Sequence, residues 1–218
     1  MKKIEVSDTI GEDNKAKKTV IGFIWYFISS LFPALSSFII FSLASRQIIP
    51  AELGSITLAT TIVMLLTSMS AAGFGDALIQ HRNIKQKHLN SVFLLMLLTS
   101  CALYITSLII VMTLDLKSFD DTFRMVYPVI GIKLVLDSCA VLPLSLLTKK
   151  MDFKSIGIRT IYCSLGSCLV CVPILLFDGG VWAIVISQIT SSLISAVILW
   201  SAAKLKPGFS FDLQSFQE

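Results

Sequence analysis

The sequence is poor in charge. Only 15% of its 218 residues are Asp, Glu, Lys or Arg, against 55% hydrophobic, where soluble domains average roughly 25% charged. The charges also cluster in short patches and leave long runs with none. A soluble helix carries charge every few residues along its exposed face, so this pattern excludes an ordinary soluble fold. Nucleic-acid binding needs a basic stripe interleaved with stacking aromatics, and that is missing too. Enzyme signatures are absent: there is no G-x-S-x-G, no glycine loop to cradle phosphates and no H-E-x-x-H. The two histidines, His81 and His88, sit in a basic connection without ligand spacing. Cys101, Cys139, Cys163, Cys168 and Cys171 all fall inside apolar runs. Cys168 and Cys171 have C-x-x-C spacing, but no second pair or nearby His completes a metal site, so they read as small packing residues. The expectation is a non-enzyme with no metal, no cofactor and no nucleic-acid partner.

What is present is a set of long apolar runs. A helix needs about 17 to 25 apolar residues to cross the bilayer core, and six runs qualify: about 20–43, 54–75, 89–114, 125–148, 160–177 and 180–203. Barrel strands are short and alternate polar with apolar, unlike these continuous runs. The first run is about twice as long as a signal-peptide core and has only a weak cleavage context at residues 41–45, so it reads as a retained helix. The predicted fold class is an all-α membrane protein. Residues 1–18 form a basic tail, residues 19–203 a six-helix bundle, and residues 204–218 a linker.

Lys and Arg concentrate on the cytoplasmic side of membrane proteins. The N-terminal tail, the second and fourth connections and the C-terminal tail together hold 14 of the 18, including Arg82, Lys149, Lys150, Lys154 and Arg159. The other side holds Arg46, Lys117 and Arg124, and Lys133 is within a run. Both termini are therefore expected in the cytoplasm.

Several features concern packing. Small residues let helices approach closely in lipid. Ser164 and Cys168 share a face of the fifth run, and Ser187, Ser191 and Ser195 form a stripe on the sixth. That stripe reads first as a packing surface and second as the lining of a polar cavity. Pro33, Pro143 and Pro173 lie within runs, where each removes a backbone hydrogen bond. Trp25, Trp182 and Trp200 lie toward run ends, as interfacial anchors do.

Ionisable side chains inside a span are costly and usually face a wet cavity or a partner. Lys133 and Asp137 are four residues apart in the fourth run, hence on one helical face. With a rise of about 1.5 Å per residue, Asp137 lies roughly 20 Å from Arg124, near mid-bilayer. One reading makes the pair the lining of a central cavity, with Lys133 attracting an anion and Asp137 holding it in place or taking a proton. The other is a self-neutralised internal ion pair. Arg46 and Asp76, at opposite ends of the first two runs, read as solvated caps or as parts of a gate.

Five segments resemble bacterial polysaccharide flippases of the Wzx type. Residues 44–54, ASRQIIPAELG, resemble that family's first external loop, and residues 73–80, GFGDALIQ, its second-helix exit. Residues 143–153, PLSLLTKKMDF, resemble the segment leaving the fourth helix. Residues 179–183, GGVWA, resemble the turn into the sixth, and residues 206–209, KPGF, the start of a linker. In order and at fitting spacings, they cover nearly the whole chain.

The resemblance implies the multidrug/oligosaccharidyl-lipid/polysaccharide exporter superfamily. Its members have two bundles around a central cavity, lie in the bacterial inner membrane, and alternate between inward- and outward-facing states. It further implies a lipid-linked oligosaccharide as substrate, carried by a polyprenyl diphosphate, with Lys133 as the cation for its anionic group. Proton or sodium coupling would fall to Asp137. Family members are about twice this length. The chain therefore reads as the N-terminal half, a gene fragment or truncated product, partnered by a second six-helix half or by itself. Two alternatives are a drug or metabolite antiporter of the same superfamily and a non-transporting scaffold of polysaccharide assembly.

A topology reporter follows from the charge distribution. Alkaline phosphatase fused after Lys149 is expected to stay inactive, as it does in the cytoplasm; an active fusion would invert the orientation.

Overall fold

The structure is a computed structural model that describes residues 5–71, 86–113, 120–150 and 152–203. These form six helices: α1 (Glu5–Ala44), α2 (Pro50–Ala71), α3 (Gln86–Thr113), α4 (Asp121–Lys149), α5 (Phe153–Leu176) and α6 (Gly180–Ala203). Each contains a stretch long and apolar enough to cross a membrane, and no strand occurs among the described residues. The protein is all-α, with six transmembrane helices, and multi-pass.

Two helices begin well before their apolar runs, the others within four residues of them. α1 starts at Glu5 and runs for 40 residues, so most of the expected 1–18 tail is helical and continuous with the span. That segment has no proline, and its acidic residues Glu5, Asp8, Glu12 and Asp13 precede Lys15, Lys17 and Lys18. α5 starts at Phe153 rather than near residue 160 because Asp152 caps it. The Asp152 carboxylate accepts from the Ser155 backbone N–H at 3.2 Å and from the Ser155 hydroxyl at 2.7 Å, satisfying a donor that a helix start leaves open.

The α1–α2 connection is tight. α2 opens with Pro50, whose missing N–H costs nothing at a first helical position. The Glu52 carboxylate accepts from the Ile49 N–H at 3.4 Å, one half of a capping box. The α5–α6 turn passes through the left-handed region at Asp178 (φ 57°) and Gly180 (φ 50°). Gly180 takes that conformation without the clash a Cβ would bring.

Packing sets the layout. α5 lies along α6 most extensively, α1 packs on α5, α4 on α6, and both α2 and α3 on α4. α1 and α2, consecutive in the chain, therefore stand on opposite flanks. The largest apolar cluster joins Ile56, Ala59 and Val63 of α2 to Phe123, Val126, Tyr127, Ile130 and Leu134 of α4.

In lipid such contacts depend on close fit and interhelical hydrogen bonds more than on apolar burial itself. A Cβ at Gly131 would run into the Tyr104 ring of α3, and the Tyr104 hydroxyl donates to the Pro128 carbonyl at 2.7 Å. The Ser138 hydroxyl donates to that of Ser100 at 2.9 Å, again joining α4 to α3.

Four prolines lie inside helices: Pro33, Pro128, Pro143 and Pro173. Pro128 adds to the three singled out from the sequence. Pro143 removes the N–H that would bond to the Cys139 carbonyl four residues back. The Trp200 indole N–H of α6 donates to that carbonyl at 3.0 Å, and Phe93 meets the Trp200 ring edge-on at 5.2 Å. Trp200, expected as an interfacial anchor, thus fills a gap that a proline opened in α4.

Trp200→Phe keeps the ring contact and strands the carbonyl. It is expected to cost about 1–2 kcal/mol, read as a lowered unfolding midpoint of the detergent-solubilised protein. An unchanged midpoint would show that the indole bond contributes nothing.

Candidate functional site

Because α1 and α2 pack on different partners, a cleft opens between them, backed by α4, α5 and α6. It has two compartments. One, of about 450 Å³, lies toward the α4–α5 turn and includes Pro33, Lys133, Asp137, Arg159, Ser164 and Ser195 in its walls. The other, of about 530 Å³, lies toward the α1–α2 turn and includes Phe41, Thr57, Thr60, Lys133 and Gln188. Both are lined by Ser37, Ile40, Lys133, Ser167 and Ser191, so they adjoin, with Lys133 at the junction.

The helical repeat alone brings Lys133 and Asp137 together. The Lys133 Nζ lies 2.6 Å from Asp137 Oδ2, and each side chain is 25% exposed. A charge-assisted contact this short is strong where water is scarce. The exposure shows that the pair borders open space and is not sealed in a dry core. Both residues line the compartment nearer the α4–α5 turn, and only Lys133 reaches the other.

Arg159 lies inside a span and not in the connection ahead of the fifth apolar run, so Lys133 is not the sole intramembrane cation. With α5 starting at Phe153, Arg159 lies about 9 Å into the helix and lines the cleft with Lys133 and Asp137. Its Nε–H donates to the Ser195 hydroxyl of α6 at 2.7 Å, which fixes the guanidinium against that wall. Among the described residues no carboxylate pairs with it. The legible signal was the cap: an Asp three residues before a Ser marks a helix start, and Arg159 follows two turns later.

The serine stripe serves both of the uses read for it. Ser191 and Ser195 line one compartment, and Ser187 and Ser191 the other. The same stripe both contacts α5 and faces the cleft. Ser36 and Ser37 of α1 and Ser164 and Ser167 of α5 face the compartment nearer the α4–α5 turn.

Among the described residues the cleft is therefore a hydroxyl-lined space holding two cations and one carboxylate. Asp137 pairs with Lys133, and no described carboxylate pairs with Arg159. An excess positive charge in a low-dielectric, partly wet site attracts an anion. Arg suits phosphate in particular, because its planar fork bonds two oxygens at once.

Arg46 is exposed in the α1–α2 turn and is not among the cleft-lining residues. Asp76, the other gate candidate, lies outside the described residues. Cys163 lines the cleft one turn beyond Arg159, whereas Cys171 is buried against Ala44, Leu175 and Ala183. All five cysteines are free, and among the described residues no three His, Cys, Asp or Glu side chains gather as a metal site.

Residues 43–218 match the family model described as "Polysaccharide biosynthesis protein". The chain is also similar to the succinoglycan biosynthesis transport protein ExoT of Rhizobium meliloti (strain 1021). The two are 22% identical over 181 residues, which make up 81% of this chain and 36% of that protein. The chain thus spans about a third of the length of this curated relative. No solved structure matches at a significant level.

Removing one member of the ion pair leaves the other without its partner. Lys133→Gln and Asp137→Asn are each expected to cost about 1–3 kcal/mol, and the double variant less than their sum. A thermal-unfolding cycle in detergent measures this; strict additivity would mean that the two groups are not coupled.

Proposed function

Given that the chain belongs to the polysaccharide biosynthesis protein family, we propose that it is one six-helix half of a flippase for lipid-linked oligosaccharide in the bacterial inner membrane. Its place in this family, together with its similarity to a biosynthesis transport protein, favours transport over catalysis. The observation that carries the reading is the meeting of Arg159 and Lys133 in a hydroxyl-lined cleft within the spans.

A polyprenyl diphosphate cannot cross hydrocarbon bare, since its charges would lose their hydration. In this reading the cleft replaces that hydration. Arg159, already oriented by Ser195, takes phosphate oxygens through its terminal amino groups. Lys133 supplies a second, more mobile cation. Asp137 holds Lys133 in place while the cleft is empty, and is the carboxylate on which proton or sodium coupling would act.

Alternating access requires two bundles moving about a shared site. A second six-helix half, or a second copy of this chain, would close the open side between α1 and α2. The lysines at the α4–α5 turn, Lys149, Lys150 and Lys154, favour a cytoplasmic position for that turn and both termini under the positive-inside rule.

The test is recovery of surface polysaccharide in a strain lacking its own flippase, with this chain supplied alongside a second six-helix half. Arg159→Gln and Lys133→Gln are each expected to lower recovery about tenfold, equivalent to about 1.4 kcal/mol of binding, and Arg159→Lys to lower it less. Full recovery with the Lys133→Gln/Arg159→Gln double variant, at normal membrane abundance, would overturn the reading.

A further inference from the structure

The two compartments differ in chemistry as well as in place. Toward the α4–α5 turn the cleft holds Arg159 and Asp137, besides Lys133. Toward the α1–α2 turn Lys133, at the junction, is the sole charge among its lining residues. The other polar groups there are neutral: Thr57 and Thr60 of α2, Ser187, Gln188 and Ser191 of α6, and Ser37 and Ser167.

The hydrogen bonds of these groups define what they can still offer. The Thr57 hydroxyl donates to the Leu53 carbonyl at 2.8 Å, and that of Thr60 to the Ile56 carbonyl at 2.8 Å. The Ser187 hydroxyl likewise donates to the Ile184 carbonyl at 2.8 Å. A hydroxyl has one proton and two lone pairs, so each of these has spent its donor on its own helix and keeps acceptor capacity. Gln188 Nε2 donates to Thr60 Oγ1 at 3.3 Å, a long bond that ties α6 to α2 and leaves the amide carbonyl as another acceptor.

Thr57, Thr60, Ser187 and the Gln188 carbonyl thus present acceptors to this compartment. Away from Lys133 it offers an anion no further charge and suits a neutral ligand with several O–H groups of its own. The apolar part of its wall fits the same ligand. Phe41 lies along one side, 65% exposed, and Ile40, Ile56 and Ile184 complete the lining. A sugar ring has both features, hydroxyls around its rim and C–H faces above and below. Pockets that orient a ligand commonly combine apolar walls with a few placed polar groups.

From this arrangement we infer that the compartment toward the α1–α2 turn is a glycosyl subsite, with Gln188 and Thr60 reading the hydroxyls of the sugar attached to the diphosphate. The inference rests on the proposed reading of the cleft, in which phosphate occupies Arg159 and Lys133. A glycosyl diphosphate carries its sugar directly on a phosphate, so its two subsites must adjoin. They do so at Lys133, which both compartments share. The sugar displaces the Gln188–Thr60 bond and takes its place, donating to Thr60 Oγ1 and the Gln188 carbonyl and accepting from Nε2. Recognition of the glycan is thereby separated from recognition of its anionic carrier: one resides on α2 and α6, the other on α4 and α5.

The experiment compares farnesyl diphosphate with its hexose-capped form, glucosyl and galactosyl caps being tried separately, by calorimetry on the full chain in nanodiscs. At least one cap is expected to tighten binding about tenfold. Gln188→Leu and Thr60→Val are each expected to bring the capped ligand back to the affinity of the uncapped one, whose own binding stays within about twofold. Thr60→Ser, which keeps the hydroxyl, is expected to retain the preference. Unchanged binding of the uncapped ligand shows in the same titration that each variant is folded. If farnesyl diphosphate binds and no cap adds affinity, or the advantage survives in Gln188→Leu, the glycosyl subsite is overturned while the phosphate reading stands. If only capped ligands bind, with loss in Gln188→Leu, the subsite holds and the phosphate reading fails. If neither ligand binds, both are overturned.

Discussion

An ionised side chain facing hydrocarbon costs several kcal/mol, and the arrangement of this bundle answers that cost. Lys133, Asp137 and Arg159 all project from within spans. They are accommodated because α1 and α2 are held apart, α1 on α5 and α2 on α4. The gap gives the charges a polar, hydroxyl-lined space. Within it each is further compensated, Lys133 by Asp137 at 2.6 Å and Arg159 by Ser195 at 2.7 Å. Were α1 to close onto α2, the same residues would have to give up their charges or break the bundle.

The remaining spans are held together by small, specific contacts. Apolar area contributes little between helices already in lipid, so close approach and interhelical hydrogen bonds decide which faces meet. Gly131 admits the Tyr104 ring. Ser138 and Ser100 bond across α4 and α3. Trp200 completes the carbonyl that Pro143 leaves open. These contacts gather on α4, which touches α2, α3 and α6 and also carries the ion pair. The helix bearing the ion pair is also the span with the largest buried share, which gives Lys133 and Asp137 a defined position.

A cleft with two cations on one side and neutral acceptors on the other is graded along its length. The proposed substrate is graded in the same way, with an anionic bridge beside a neutral sugar. Lys133 lies where the two chemistries meet. The hydroxyl-rich walls serve both ends, since serine and threonine accept from donors and also solvate bound cations and their ligands. Thr57, Thr60 and Ser187 donate to carbonyls of their own helices and keep acceptor capacity toward the cleft.

The sequence by itself determined the number of spans and the Lys133–Asp137 pair. A charge-free run must match the thickness of the hydrocarbon, and residues four apart on one helix must share a face; neither needs knowledge of a neighbour. Membership of a polysaccharide-handling family was legible too, in loop segments such as 73–80 and 179–183. Only the tertiary structure decided that Arg159 belongs to the cleft, that Ser187, Ser191 and Ser195 face it, and that Trp200 serves Pro143. Arg159 depended on where α5 starts, which a single cap at Asp152 sets and an apolar window blurs. The serines and the tryptophan depended on which helix lies beside which. Composition cannot state that, because to lipid one apolar helix face is much like another, and only the fit of particular side chains tells them apart.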